Sequence, residues 1–147
     1  MYHITHDHEI SVAHRLVGHA GGCGRLHGHN YLIQTDISTD KLDDMGMVLD
    51  FAIVKDTCDC WLDQQWDHRL LIYSNDPLVV RDPAVMRTLA ENGMVIVPFN
   101  PTAENMAFYL TQKFSRLLAT ATMRDLTVAV TVQETSKGRA TFVGCPK

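Results

Sequence analysis

Two segments near the start of the chain alternate in polarity, and both carry their histidines in phase with the apolar residues. In residues 3–15 the even positions Ile4, His6, His8, Ile10, Val12 and His14 share one face, against the mostly polar Thr5, Asp7, Glu9, Ser11 and Arg15. In residues 26–38 the residues His27, His29, Tyr31, Ile33 and Ile37 share a face, with Gly28, Asn30, Gln34, Asp36 and Ser38 mostly opposite. A period of two marks a strand buried on one side. Side chains i and i+2 of a strand point the same way, so His27 and His29 aim two imidazoles at one point. Gly28 lies on the other face, where the missing side chain permits close backbone approach. If the two strands pair antiparallel across the Gly-rich connection 16–25, His14 meets His27 and His29 on the buried face. Three imidazoles with an open fourth position are the ligand set of catalytic rather than structural zinc, which takes histidine nitrogen at about 2.0–2.1 Å. His6 and His8 form a second i, i+2 pair on the same face but lack a recognisable third ligand.

The rest of the chain supplies the cover for such a site. Asp50 is placed to cap a helix, and Phe51, Val54, Cys58, Trp61 and Leu62 recur at helical spacing to about residue 66, with Lys55, Asp56, Asp59 and Asp63 facing out. Asp67-His68 stands where this helix stops. Residues 69–100 are broken by Pro77, Pro83, Gly93 and Pro98; they suggest a short helix near 83–92 and an extended run at 94–97. Thr102 is placed to cap a second long helix, ending near Thr120, with Ala103, Met106, Ala107, Leu110, Phe114, Leu117 and Leu118 as its apolar stripe. Residues 126–135 alternate again, with Leu126, Val128, Val130, Val132 and Glu134 on one face, and Ser136-Lys137-Gly138 turns the chain into a last strand, 139–143. The expected fold is α+β: a β-β-α-α-β-β order forming a four-stranded antiparallel sheet with two helices on one face, in one domain over residues 1–147.

Composition excludes several classes of function. The 147 residues carry a formal net charge of −4 without a run of Lys or Arg, which argues against nucleic acid or an anionic membrane as partner. No apolar run approaches the ~20 residues that span a bilayer. The N-terminus lacks a basic segment followed by an apolar one, so we expect a cytoplasmic protein whose four cysteines (Cys23, Cys58, Cys60 and Cys145) are free thiols. Seven of the eight histidines fall within the first 29 residues, which places metal chemistry on the first two strands.

Four further groups invite chemistry, and each has a plainer reading. Cys23 lies four residues before His27. It suits a fourth zinc ligand closing the site, an unliganded acid or base whose thiol is made acidic by a nearby cation, or an inert loop residue; spacing does not separate these. Glu134 ends an apolar strand face, where an unpartnered carboxylate is costly. Either an internal Arg or Lys or exposure satisfies it, or a ligand with two parallel N–H donors does, such as the edge of a pterin or guanine ring. Asp67-His68 is either an oriented acid–base pair, the Asp fixing the imidazole tautomer, or a polar helix end. Cys58 and Cys60 read as packing residues, and Cys145 receives no role.

Six ordered stretches, Ser-Val-Ala-His14-Arg-Leu, Cys23-Gly-Arg-Leu-His27-Gly-His29-Asn-Tyr, Met-Val-Leu-Asp50-Phe, Leu62 through Asp67-His68, Pro101-Thr102-Ala-Glu104-Asn105 and Val132-Gln-Glu134-Thr135, together resemble the 6-pyruvoyltetrahydropterin synthase / 6-carboxytetrahydropterin synthase family nearly end to end. The Cys-x3-His-Gly-His spacing resembles the bacterial carboxytetrahydropterin branch. The resemblance implies the tunnelling fold, whose subunits join into a homo-oligomeric barrel with active sites at subunit interfaces. It implies one Zn2+ per subunit held by His14, His27 and His29, Cys23 as proton acceptor rather than ligand, Asp67 and His68 as proton relay, and Glu134 as anchor of the pterin, with Thr102 and Glu104 lining the same pocket. The implied reaction converts 7,8-dihydroneopterin triphosphate to 6-carboxy-5,6,7,8-tetrahydropterin, acetaldehyde and triphosphate, on the route to queuosine. A 6-pyruvoyltetrahydropterin product and a non-catalytic zinc- or pterin-binding module are the alternatives. Arg15, Arg25, Arg69 and Lys137 are candidates for the triphosphate, although solvated charge explains any one of them. Family members often pass more directly from the Asp-His pair to the Pro-Thr-Ala-Glu-Asn helix start, so residues 72–100 are a departure.

Overall fold

The computed structural model describes residues 1–79 and 82–144; Cys145 lies outside them. The two alternating segments form β1, Tyr2–His14, and β2, His27–Thr39. They pair antiparallel in one unbroken register, from Tyr2 opposite Thr39 to His14 opposite His27. That register follows from the alternation: a slip of one residue would turn the whole apolar face to water. β5, Thr127–Thr135, pairs antiparallel with β2, and β6, Gly138–Val143, pairs with β5.

Two further strands, β3 (Arg69–Tyr73) and β4 (Met94–Val97), make the sheet six-stranded rather than the expected four, in the order β4-β3-β1-β2-β5-β6. The two additions come from residues 69–97, within the Pro- and Gly-broken stretch where the sequence suggests only an extended run at 94–97. β3, Arg69–Tyr73, runs parallel to β1, and β4, Met94–Val97, runs parallel to β3. A third helix, α3 (Pro83–Glu91), lies between them in sequence. Leu70-Leu71-Ile72 and Met94-Val95-Ile96-Val97 are continuous apolar runs, the habit of parallel strands rather than of half-solvated antiparallel ones. Asp82 caps α3 by accepting from the Ala84 N–H at 2.8 Å.

The first long helix is interrupted. α1, Phe51–Val54, starts at the Asp50 cap, a π turn spans Lys55–Asp59, and α2, Cys60–Gln65, completes it. The wider π turn rotates the side chains beyond its start relative to a uniform helix. Asp59, expected to face out, is therefore buried against β1. Cys58 packs in the core as expected, whereas Cys60 is exposed. α4, Ala103–Thr122, is capped by Thr102, whose Oγ1 accepts from the Asn105 N–H at 3.2 Å. Its stripe Met106, Leu110, Phe114 and Leu118 packs with Val54, Cys58 and Leu62 of the first helix on Ile10, Tyr31, Ile33, Val130 and Val132 of the sheet. The three histidines lie at one end of this same buried face.

Candidate metal and pterin site

His14, His27 and His29 offer ligand atoms that all lie within 4.8 Å of one another. Their tautomers follow from backbone acceptors. The Nδ1–H of His14 donates to the Pro101 carbonyl at 2.7 Å, and the Nδ1–H of His27 donates to the Arg25 carbonyl at 2.7 Å. A carbonyl only accepts, so in the neutral rings each Nε2 carries a lone pair. Those two Nε2 atoms face each other at 3.1 Å. Two lone pairs cannot hydrogen-bond to each other; a cation satisfies both at once. Carbonyls on the far nitrogens are the usual outer support of metal-binding imidazoles. Burial holds the pKa of His14 below its ordinary value of 6.5, against the opposing effect of the Pro101 carbonyl, and keeps the ring in the neutral form that a metal requires. Gly28, between the two β2 histidines, lies tightly against β1: a Cβ there would sit 3.1 Å from the Val12 carbonyl oxygen.

Glu134 reaches this cluster from β5. The pairing of β5 with β6 shifts register between Gln133 and Thr135, and such a bulge re-aims the side chain at its centre. The Glu134 carboxylate lies 4.0 Å from His14 Nε2 and is 30 % exposed. Among the described residues it has no Arg or Lys partner. Its hydrogen bond comes from Tyr31, whose hydroxyl donates to Oε1 at 3.2 Å. The same hydroxyl lies 3.2 Å from Nδ1 and 3.0 Å from Nε2 of His14. An oxygen that close to both nitrogens cannot lie in the ring plane without overlapping ring carbons, so it sits over the ring face and leaves the in-plane Nε2 lone pair free. Burial, with Glu134 beside it, pushes the Tyr31 hydroxyl well above its ordinary pKa; it stays a donor. Sequence reading placed Tyr31 on the right face without giving it a role. The available signal was its position on β2 beside the strand that ends in Glu134.

Cys23, Asp67 and His68 take separate places around the histidine cluster, Asp67 and His68 outside it. Cys23 is exposed in a 3-10 turn, Gly22–Gly24, and its carbonyl accepts from the Leu16 N–H at 2.8 Å. Gly24 has no room for a side chain, because a Cβ would overlap the His19 carbonyl oxygen. Asp67 accepts from the Ser11 N–H at 2.8 Å and from His68 Nδ1 at 2.7 Å. Burial alone would raise the Asp67 pKa, but these two donors hold it below 3.8. His68 has φ 55°, a left-handed conformation that a non-glycine residue adopts only when its surroundings impose it. Its side chain is 81 % exposed and lines a hollow with Ser11, Ala13 and Asn30, which also reaches His29; by strand alternation Ser11, Ala13 and Asn30 stand on the face of the sheet opposite the three imidazoles. Within one chain the Asp-His pair and the histidine cluster are therefore not brought together.

Thr102 spends its hydroxyl on the helix cap, and Glu104 is exposed in the first turn of α4. Arg15, a triphosphate candidate, has its Nε 2.9 Å from the carboxylate of the fully buried Asp76. His6 and His8 find carboxylates instead of a metal. His6 Nε2 lies 2.8 Å from Asp59, and His8 lies 2.7 Å from Asp63 and 3.5 Å from Asp59. Among the described residues His14, His27 and His29 are the one group close enough to share an ion. Among the described residues no helix is long and apolar enough to cross a membrane.

Residues 3–145 match the 6-pyruvoyl tetrahydropterin synthase family. A probable 6-carboxy-5,6,7,8-tetrahydropterin synthase of Halobacterium salinarum is 38% identical over 139 residues, covering 90% of this chain and 82% of its relative. The 6-carboxy-5,6,7,8-tetrahydropterin synthase of Rickettsia felis is 34% identical over 102 residues, covering 69% of this chain and 72% of that protein. Among solved structures, an uncharacterised protein from Wolinella succinogenes superposes with a TM-score of 0.81 at 22% identity over 97% of both chains. The 6-pyruvoyl tetrahydropterin synthase of Caenorhabditis elegans superposes with a TM-score of 0.67 at 24% identity, over 98% of this chain and 96% of that one. A family match over residues 3–145, with a relative 38% identical over 90% of the chain, places this chain in the 6-pyruvoyl tetrahydropterin synthase family.

Proposed function

We propose that this protein is a zinc-dependent 6-carboxy-5,6,7,8-tetrahydropterin synthase, a cytoplasmic lyase acting on 7,8-dihydroneopterin triphosphate on the route to queuosine. The supporting observation is the facing pair of Nε2 atoms beside a part-buried carboxylate that lacks a cationic partner, in a chain whose curated relatives carry that name. The donor set fits the metal. His14, His27 and His29 would hold one Zn2+ per chain, and bound zinc makes an oxygen ligand more acidic, as it does water. The chain's own residues do the rest. Glu134 accepts the paired N–H groups of the aminopyrimidinone edge, held in place by the Tyr31 hydroxyl, and so fixes the ring relative to the imidazoles. The Cys23 thiolate takes protons from the substrate, and His68, oriented by Asp67, returns them.

Because Asp67-His68 faces away from the histidine cluster of its own chain, a second copy is the source of that pair in our reading, with the active site lying between subunits of a homo-oligomer. Thr102 and Glu104 border the pocket from the start of α4. The decisive experiment combines metal analysis with mass spectrometry of the product formed from 7,8-dihydroneopterin triphosphate. We expect one zinc per chain and 6-carboxytetrahydropterin. A 6-pyruvoyl product overturns the branch assignment, and no turnover with zinc bound overturns the enzyme. Cys23→Ala should keep its zinc and lose turnover; loss of zinc would make Cys23 a ligand.

A further inference from the structure

Cys23 belongs to a glycine-rich stretch with little regular structure to hold it in place. Residues 16–24 contain four glycines and one short 3-10 turn, and glycine-rich backbone has the most conformational freedom to lose. The loop closes on itself: the Leu16 N–H donates to the Cys23 carbonyl at 2.8 Å and the Gly24 N–H to the Gly21 carbonyl at 3.1 Å. Such bonds set its shape, not its location. Among the described residues, only two hydrogen bonds join residues 16–24 to a distant part of the chain, and both involve the side chain of Asn100. Its Oδ1 accepts from the Val17 N–H at 2.9 Å, and its Nδ2 donates to the Val17 carbonyl at 3.0 Å.

A primary amide presents a donor and an acceptor side by side, so Asn100 grips Val17 as a neighbouring strand would. Asn100 is itself anchored. Its carbonyl accepts from the Thr102 N–H at 2.7 Å and from Asn105 Nδ2 at 2.9 Å. The next residue, Pro101, gives its carbonyl to His14 Nδ1. One short segment at the start of α4 thus holds a metal-facing imidazole with one residue and the cysteine loop with the residue before it. The geometry points to Asn100 as a positioning residue that fixes where Cys23 stands relative to the His14 imidazole. The inference rests on the role proposed for Cys23 above. It also explains why the loop can be glycine-rich and still present a thiol in one place: the two bonds at Val17 lie one residue from Leu16, which holds the Cys23 carbonyl.

The test uses zinc-loaded Asn100→Ala, with Asn100→Asp as a second variant that keeps the acceptor for the Val17 N–H and loses the donor. Three quantities are measured: zinc per chain, kcat and KM for 7,8-dihydroneopterin triphosphate, and the alkylation rate of Cys23 by iodoacetamide at one pH, with exposed Cys60 as internal control in the same peptide map. We expect full zinc, kcat lowered about tenfold to a hundredfold, as for a misplacement of about 1 Å, and KM within about twofold of the parent. Cys23 alkylation should change severalfold while Cys60 does not, and Asn100→Asp should lie between. An unchanged kcat, or a Cys23 rate equal to that of the parent, overturns the inference. Equal changes at Cys23 and Cys60 also overturn it, because they report general loosening. Should Cys23→Ala itself retain turnover, the role of the thiol fails whatever Asn100 does; if it is inactive while Asn100→Ala is not, only the positioning role fails.

Discussion

Replacing Tyr31 with Phe removes one oxygen and isolates the link between the carboxylate and the imidazole cluster. Tyr31 is fully buried, so the ring stays packed and the change is confined to the hydroxyl. That hydroxyl donates to Glu134 at 3.2 Å and covers the His14 ring face. A hydrogen bond to a charged group contributes about 1.5–3 kcal/mol when water cannot replace it. Glu134 is 30 % exposed, so water recovers part of this, and a net loss of about 1 kcal/mol is the reasoned value. For a chain of this length that corresponds to a fall in Tm of roughly 3 °C. The same energy, read as freedom returned to the carboxylate that orients the pterin, raises KM roughly fivefold. Zinc content should not change, because the hydroxyl over the ring face takes no in-plane lone pair. Thermal unfolding, metal analysis and steady-state kinetics of Tyr31→Phe check all three. Unchanged KM and Tm would mean that Tyr31 does not hold Glu134; loss of zinc would mean that its contact with His14 is structural for the triad.

The same geometry predicts other outcomes. Gly24→Ala forces the Cys23 loop to change shape, because a Cβ there would overlap the His19 carbonyl oxygen within the same loop; turnover should fall at least tenfold with zinc retained, by kinetics and metal analysis. Because burial lowers the pKa of His14 below 6.5, the unfolded chain binds the proton first as pH falls. The metal-free protein should therefore be most stable above about pH 6.5 and lose stability as pH drops from there through the depressed folded value, which calorimetry at about pH 5 and about pH 7.5 checks. Asp67 has a folded pKa below 3.8, so its carboxylate stabilises the protein above that value and stops doing so as pH falls through the folded one. Asp67→Asn should cost about 1–2 kcal/mol at neutral pH and progressively less as pH falls from 3.8 through the depressed folded value, in urea titrations.

Alternation carried most of the fold into view. A strand that must bury Ile10, Val12 and His14 against Tyr31, Ile33 and His29 has one register, and that register alone sets His14 opposite His27. Helical spacing likewise placed the apolar stripe of α4. The two extra strands were harder to read because parallel strands lack alternation: Leu70-Leu71-Ile72 and Met94 through Val97 fit a strand or a buried helical turn equally well. Asp59 was misplaced because a π turn breaks the period on which its outward position was reasoned.

At the site, sequence alone determined which residues have the chemistry: three imidazoles in phase on two strands, a thiol in a glycine-rich loop, an Asp-His pair at a helix end and a carboxylate closing an apolar face. Only tertiary structure decided what each touches. Backbone carbonyls 87 and 2 residues away in sequence fix the His14 and His27 tautomers. A bulge turns Glu134 toward Tyr31, and an amide 83 residues away grips the cysteine loop. The pairing of strands puts Asp67-His68 on the far face of the sheet. Periodicity is a property of neighbours along the chain, whereas hydrogen-bond partners, tautomers and the face a loop residue reaches depend on segments that meet only after folding.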